Sequence, residues 1–180
     1  MPRYVALFRG INVGKAKRVA MAELRALLGK LGYTDVATLL NSGNAVFTAP
    51  AAAPNRHAAT IREAVAKKLG VDACVVVKAA DDIAAVVAGN ALGKIADDGS
   101  RLLVAMTDDD AVLAAVKKLA KQDFGAERIH VGSHAAYLWC ANGILESKAL
   151  EPLLKGLGAS ATTRNWNTLS KLHALLAAPD

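Results

Sequence analysis

Aromatic residues are scarce in this chain of 180 residues, where Phe, Trp and Tyr together make up 4% of the sequence. Recognition of nucleic-acid bases by stacking needs several exposed rings, so this scarcity weighs against an extensive stacking surface. Cysteine is scarcer still, and the spacing of Cys74 and Cys140 contains no C-x-x-C or zinc-ligand motif. We therefore expect two buried free thiols, no metal site and no bound cofactor.

Long apolar runs are lacking as well. The run at residues 4–8 is too short for a signal peptide and ends at Arg9. No stretch of about 20 apolar residues, the length that crosses a bilayer, is present. These observations predict a cytoplasmic protein without a membrane partner, while the oligomeric state has no signature in the sequence.

Acidic residues are almost absent from the first 30 residues, which contain Glu23 alone. The same segment carries seven cations, so its net charge of +6 equals that of the whole chain. The cations are Arg3, Arg9, Lys15, Lys17, Arg18, Arg25 and Lys30. Residues 81–110, by contrast, carry a net charge of −5. This asymmetry indicates an anionic partner for the first segment and disfavours a uniformly basic surface that coats nucleic acid.

Hydrophobic residues make up 53% of the chain, and their spacing predicts two successive βαββαβ segments. The first has strands at 3–9, 36–40, 45–48 and 72–78 and helices at 21–31 and 55–69. The second has strands at 102–107, 128–131, 136–141 and 160–164 and helices at 108–121 and 147–156. Further helices are predicted at 81–89 and 166–177. We therefore predict an α+β protein of two tandem ferredoxin-like (RNA-recognition-motif-like) units, residues 1–90 and 91–180, packed as one compact body.

A loop with two glycines follows the first predicted strand and precedes the first helix. Gly10 and Gly14 permit a tight turn and a close approach of the backbone to a ligand. Backbone amides at the start of a helix bind phosphate or carboxylate groups, although the loop matches neither a P-loop nor a dinucleotide fingerprint. The candidate ligand-binding residues here are Arg9, Gly10, Asn12, Gly14, Lys15 and Arg18. The alternative is a solvated connector.

The tetrapeptide Asn41-Ser42-Gly43-Asn44 has the composition of a hairpin turn. In a βαββαβ sheet this hairpin and the end of the first strand lie at the same edge. We therefore expect residues 41–44 to meet residues 12–18 and to place neutral donors and acceptors beside the cations. All four hairpin residues are candidate ligand-binding residues, and the alternative is an ordinary turn.

A third polar cluster, residues 162–168, precedes the last predicted helix. Thr163 or Asn165 is the expected cap of this helix. Arg164 would stand at the positive end of the helix, which favours a nearby anion. Arg164 and Asn165 are therefore also candidate ligand-binding residues, and the alternative is a capped helix with Arg164 paired to a surface acid.

Other reactive side chains carry weaker signals. His130 and His134 flank a predicted hairpin turn rather than one helical face, so a structural role is favoured over a metal pair. Ser42 and Ser147 lack a nucleophile elbow, and Lys148 is expected to be a solvated lysine at the start of a helix. No general base stands out, so the sequence leaves open whether the protein is an enzyme.

Four segments of the chain together resemble the bacterial domain of unknown function 1697 (DUF1697) family. They are RYVALFRGINVG at 3–14, MAELR at 21–25, NSGNAVF at 41–47 and TTRNWNT at 162–168. The resemblance covers nearly the whole chain and departs from the family at Ala20, where a proline is common. It implies two ferredoxin-like units with extra helices, and it implies no established activity or catalytic residue.

We rank three functions. The first is a binding protein for an anionic ligand, such as a nucleotide, a phosphate-bearing metabolite or an RNA segment, held by the basic glycine and asparagine loops. An RNA ligand would be stacked by Tyr4, Phe8 and Phe47 if these rings lie exposed on the sheet. The second is an enzyme acting on a phosphorylated or carboxylated small molecule, and the third is a structural or protein-interaction module.

Overall fold

A computed structural model of the protein describes residues 1–178. These residues form a mixed α+β fold with two four-stranded antiparallel sheets and six α-helices. The strands are β1 Arg3–Phe8, β2 Thr34–Leu39, β3 Asn44–Thr48, β4 Val75–Ala79, β5 Leu102–Thr107, β6 Arg128–Val131, β7 Ala136–Trp139 and β8 Ala161–Asn165. The helices are α1 Met21–Lys30, α2 Pro54–Leu69, α3 Ala80–Ala88, α4 Asp110–Ala115, α5 Leu150–Leu157 and α6 Trp166–Ala177.

The chain divides into two units. Unit 1 contains residues 1–83 together with the chain from Leu172 onward, and unit 2 contains residues 84–171. The sheet of unit 1 has the strand order β2-β3-β1-β4, and the sheet of unit 2 has the order β6-β7-β5-β8. The first strand of each unit therefore lies inside its sheet: β1 pairs with β3 and β4, and β5 pairs with β7 and β8.

The core of unit 1 forms because β1 is apolar along its length and alternate side chains point to opposite faces of the sheet. Tyr4 and Phe8 point to the face that packs with the buried leucines of α1 and with Ile61 and Val65 of α2. Tyr4 lies opposite Phe47 in the sheet, and their ring centroids are 5.7 Å apart.

Stacking of an RNA ligand on this sheet required exposed rings at Tyr4, Phe8 and Phe47, and this condition is not met. All three side chains are buried in the core of unit 1. The reason is that the two helices after β1 and β3 cover the face that carries these rings, so the rings contribute to stability rather than to a binding surface.

The helix predicted over 108–121 is shorter than expected. Helix α4 ends at Ala115, and residues 116–121 continue as a 3-10 helix. Val116 and Leu119 are the buried residues of this segment. Their spacing of three residues equals one turn of a 3-10 helix, which places both side chains towards the core.

The helix predicted over 147–156 begins later, at Leu150. The hydroxyl of Ser147 accepts a hydrogen bond from the backbone amide of Leu150 at 3.1 Å and donates one to the buried carboxylate of Glu127. The other Glu127 oxygen accepts from the backbone amide of Lys148 at 2.8 Å. These bonds hold residues 147–148 outside the helix.

Both cysteines are free thiols. Cys140 is buried, as expected, and burial raises the pKa of its thiol. Cys74 is half-buried instead, and it lies directly before the first residue of β4. Within residues 1–178, the helices are too short or too polar to span a membrane.

Candidate functional site

Two loops meet at one edge of the sheet of unit 1. We call residues 9–18 the glycine loop and residues 41–44 the asparagine hairpin. The backbone amide of Phe8, the last residue of β1, donates to the carbonyl of Gly43 at 2.9 Å. The side-chain amide of Asn12 donates to the carbonyl of Asn41 at 2.7 Å. The antiparallel pairing of β1 with β3 thus brings the two loops together.

Asn12 organises the glycine loop. Its Nδ2 donates to the carbonyl of Val19 at 2.8 Å as well as to Asn41, and its Oδ1 accepts from the amide of Val19 at 2.8 Å. The backbone amide of Asn12 donates to the carbonyl of Lys17 at 3.0 Å. Both N–H groups of the side-chain amide are therefore used within the protein, so Asn12 positions the loop.

The backbone of the glycine loop is left-handed at several positions. The φ angles are 69° at Gly10, 56° at Asn12, 63° at Gly14 and 50° at Lys17. Only glycine adopts this region without cost, with asparagine the next best tolerated. Residues 10, 12 and 14 have positive φ and alternate with residues of negative φ. In anion-binding nests, neighbouring residues of opposite backbone handedness direct their N–H groups towards one point.

A surface pocket of about 360 Å³ lies where the glycine loop, the asparagine hairpin and the start of α1 come together. The residues that line it are Asn12, Arg18, Val19, Ala20, Met21 and Asn41. Helix α1 starts in this pocket with Ala20 as its N-cap, and no side chain caps the first turn. The first amides of a helix carry partial positive charge, so the pocket combines a helix N-terminus with the guanidinium of Arg18.

Three of the four cations of the glycine loop are exposed. Lys15, Lys17 and Arg18 all lie on the surface. Hydrogen bonds from Arg62 hold the pKa of Asp72 below its ordinary value, and the charge of Lys17 contributes to the same direction. The carboxylate of Asp72 thus interacts electrostatically with Lys17.

Two further predicted residues of unit 1, Asn44 and Arg9, lie deeper in the protein. Asn44 is buried, and its Nδ2 donates to the carbonyl of Leu39 at 2.7 Å and to the hydroxyl of Ser42 at 3.3 Å. Arg9 is half-buried, and its backbone amide donates to the carbonyl of Cys74 at 2.9 Å. These residues support the edge of the sheet and do not line the pocket described above.

Arg164 and Asn165 lie in unit 2, at the end of β8. The side-chain oxygen of Asn165 accepts from the amide of Thr168 at 2.9 Å, so Asn165 caps α6 as one of the two expected residues. The guanidinium of Arg164 is buried and donates to the Thr162 hydroxyl at 2.8 Å and the Thr163 carbonyl at 2.7 Å. Burial lowers the pKa of Arg164 to about 10. Arg164 therefore points back along its own strand, which the sequence did not predict.

The weaker candidates also have identifiable surroundings. His130 is half-buried with its ring 5.7 Å from that of Tyr137, and His134 is exposed in the following turn. No group of three or more His, Cys, Asp or Glu side chains that could hold a metal ion occurs in residues 1–178. Ser147 bonds to the carboxylate of Glu127, which fixes the loop before α5.

Three residues that line the pocket were not predicted from the sequence. Val19, Ala20 and Met21 line it because they lead into α1, although none has a reactive side chain. One signal was present: Ala20 stands where a capping Ser, Thr, Asp or Asn is usual, which leaves the first amides of the helix without a side-chain acceptor.

The fold and the loop cluster define an α+β protein with a basic surface pocket at one sheet edge of its first unit. The chain belongs to the DUF1697 family of proteins of unknown function, whose family model matches residues 1–137. Among solved structures it is similar to the conserved bacterial protein SP0830 from Streptococcus pneumoniae, with a TM-score of 0.72 and 25% sequence identity. That similarity covers 97% of this chain and 98% of the other. No curated protein matches the chain.

Proposed function

We propose that the protein binds a small phosphate-bearing anion in the pocket between the glycine loop, the asparagine hairpin and the start of α1. The observation that carries the proposal is the convergence, in one pocket of about 360 Å³, of Arg18 with an uncapped helix N-terminus. Both features attract negative charge, and a helix N-terminus presents backbone N–H groups in a geometry that suits phosphate oxygens.

Unit 2 supports the proposal by internal comparison. Helix α4 follows β5 as α1 follows β1, and there the Asp109 carboxylate accepts from the amides of Ala111 at 2.9 Å and Val112 at 3.2 Å. Helix α1 has no carboxylate in the corresponding position, since its N-cap is Ala20. The comparison indicates that a bound anion would supply at α1 the interaction that Asp109 supplies at α4.

The proposed architecture is two ferredoxin-like units. Support comes from the element order βαββαβ, which occurs twice, and from the equivalent strand orders β2-β3-β1-β4 and β6-β7-β5-β8. This arrangement places the loop after the first strand beside the hairpin between the second and third strands. In unit 1 that is where the proposed pocket lies.

An RNA ligand and the alternative of catalysis receive less support. Base stacking on the sheet would need exposed rings, whereas Tyr4, Phe8 and Phe47 are buried. Catalysis would need a general acid or base, and none of the residues that line the pocket within the described part of the chain is Asp, Glu, His or Cys. We therefore favour binding of a small ligand over RNA recognition or catalysis. The expected location of the protein is the cytoplasm.

Titration of the protein with inorganic phosphate, followed by NMR of the backbone amides, tests the proposal. We expect the amides of the glycine loop, of residues 20–23 and of the asparagine hairpin to shift together. The change Arg18→Gln should raise the Kd for phosphate about tenfold or more, because a charge-assisted hydrogen bond contributes roughly 1.5–3 kcal/mol.

Arg25→Gln is the matched control. Arg25 belongs to the same basic segment, but its guanidinium donates to the hydroxyl of Thr38 at 2.6 Å and does not line the pocket. Removing its charge should change the Kd by less than about twofold through general electrostatics alone. Equal effects of the two changes, or phosphate shifts confined to other parts of the chain, would contradict the proposal.

A further inference from the structure

An exposed leucine in a strained backbone conformation stands next to the proposed pocket. Leu40 directly follows β2 with φ of 60° and is 54% exposed. It is the one apolar side chain among the four non-glycine residues of positive φ in residues 1–178. The left-handed region is unfavourable for a residue with a Cβ, because the Cβ comes too close to the following carbonyl oxygen.

The turn by itself does not explain Leu40. Glycine or asparagine would adopt the same φ with less strain, and either would remove an exposed apolar side chain from the surface. Strain that local structure does not require is typical of positions where a ligand or partner completes the contact.

Val13 is a second exposed apolar side chain that neighbours a pocket-lining residue in the chain. It is 71% exposed and lies in the glycine loop between Asn12 and Gly14. Val13 follows Asn12, and Leu40 precedes Asn41 in the chain. Asn12 and Asn41 both line the pocket and are joined by a hydrogen bond. Val13 and Leu40 are therefore each the chain neighbour of a residue that lines the pocket.

We propose that the ligand of this pocket is a small phosphate ester with an apolar body, whose phosphate binds at Arg18 and α1 and whose apolar part covers Leu40 and Val13. This inference rests on the proposed function, because it takes phosphate binding as given and adds the class of group attached to it. Bare phosphate would pair with the cations but would leave both apolar side chains in water.

The size of the pocket agrees with such a ligand. Its volume of about 360 Å³ is near the lower end of the roughly 300–1,000 Å³ that is usual for small-molecule sites. It suits a phosphate with part of a small apolar group, and the rest of that group would extend over the rim. The shared chemistry is a phosphate ester, which a free metabolite or a lipid head group can supply, and we commit to the free metabolite.

A comparison of two probes, inorganic phosphate and phenyl phosphate, in two forms of the full chain tests the inference. In the parent protein phenyl phosphate should bind roughly five- to tenfold more tightly than phosphate, since about 50 Å² of apolar surface leaves water. In Leu40→Asn the ratio should fall close to one, while the affinity for phosphate itself stays unchanged. Asparagine tolerates the left-handed region, so this variant is expected to fold.

Leu145→Asn is the matched control. Leu145 is 97% exposed in unit 2 and has no positive φ. The same chemical change there should leave the ratio of the two affinities as in the parent protein.

Three results would overturn the inference. The first is phosphate binding with no preference for phenyl phosphate, and the second is a preference that survives in Leu40→Asn. The third is binding of the protein to vesicles of phosphatidic acid together with equal affinities for the two soluble probes. That result would mean that Leu40 and Val13 contact a membrane surface. Failure of phosphate itself to bind would instead remove the proposed function, so the two failures are distinguishable.

Discussion

At the scale of single residues, the meeting of the two loops depends on Gly43. Its φ is 90°, and its carbonyl accepts from the amide of Phe8 at the end of β1. A Cβ at this position would lie 2.6 Å from Cδ1 of Ile11 and 2.8 Å from Cβ of Phe8. Ile11 could move the end of its side chain, whereas the Cβ of Phe8 is fixed to the backbone of a central strand.

We expect Gly43→Ala to destabilise the protein by about 2–4 kcal/mol, from the combined cost of a left-handed alanine and a steric overlap in the core. Denaturation by urea measures the loss as a change in the free energy of unfolding. Gly10→Ala is the control, because Gly10 has φ of 69° but no atom within 4 Å of the added Cβ. That change should cost only about 1–2 kcal/mol, and losses of equal size would show that the overlap is unimportant.

At the scale of helices and strands, the two units differ in how the first helix of each begins. Asp109 caps α4 with its carboxylate, whereas Ala20 leaves α1 without a side-chain cap. Helix α2 also lacks a side-chain cap, but its first residue is Pro54, which has no N–H group to satisfy. Among these three helices, α1 is the one whose first amides stand beside an arginine in a pocket.

Ala20→Asp transfers the cap of α4 to α1. The added carboxylate should accept from the first amides and stabilise the protein by about 1 kcal/mol, while it should weaken phosphate binding because it occupies the same amides and repels the anion. Thermal or urea denaturation and the phosphate titration measure the two effects. Ala53→Asp caps α2 and should stabilise the protein without changing the phosphate affinity. A gain in phosphate affinity in Ala20→Asp would contradict the assignment of the pocket.

The elements also show how far the sequence could predict the structure. Hydrophobic spacing located the helices, and short apolar runs located strands such as β1 and β5, because the apolar side chains of these elements are buried. The meeting of the glycine loop with the asparagine hairpin followed from the strand order, since residues at one edge of an antiparallel sheet are neighbours.

What the sequence could not predict depends on tertiary context. Strand β1 is apolar on both faces, so its pattern does not say which face the helices cover or whether the rings of Tyr4 and Phe8 are exposed. The left-handed φ of Leu40 could not be predicted because leucine has no preference for that region. The direction of the Arg164 side chain depends on acceptors in its own strand.

At the scale of the whole molecule, we expect the stability of the protein in acid to depend in part on a ring cluster in the core of unit 1. His57, in the first turn of α2, is buried with its Nδ1 2.9 Å from the hydroxyl of Tyr33. The rings of Tyr4 and Phe47 lie 4.5 Å and 5.9 Å from the imidazole. Burial lowers the pKa of His57 below its ordinary value of 6.5, and the Pro50 carbonyl opposes this only in part. The side chains described around the imidazole, those of Tyr33, Tyr4 and Phe47, include no carboxylate that could compensate its charge.

The sign of the pH dependence follows from the lowered pKa. In the unfolded chain His57 takes up a proton as the pH falls through about 6.5, whereas in the folded protein it stays neutral to a lower pH. Its contribution to stability is therefore complete above pH 6.5 and is lost as the pH falls from there towards the folded pKa. The loss can reach about 1.4 kcal/mol per pH unit, the limit for one proton.

Urea denaturation of the parent protein and of His57→Gln between pH 7.5 and 4.5 tests this dependence. We expect the free energy of unfolding of the parent to fall more steeply below pH 6.5 than that of the variant, whatever their difference at pH 7.5. The slope is the informative quantity because the substitution also disturbs the bond to Tyr33. His134→Gln removes an exposed imidazole and should keep the slope of the parent. Parallel profiles for the parent and His57→Gln would mean that His57 accepts its proton equally well in the folded core and in the unfolded chain.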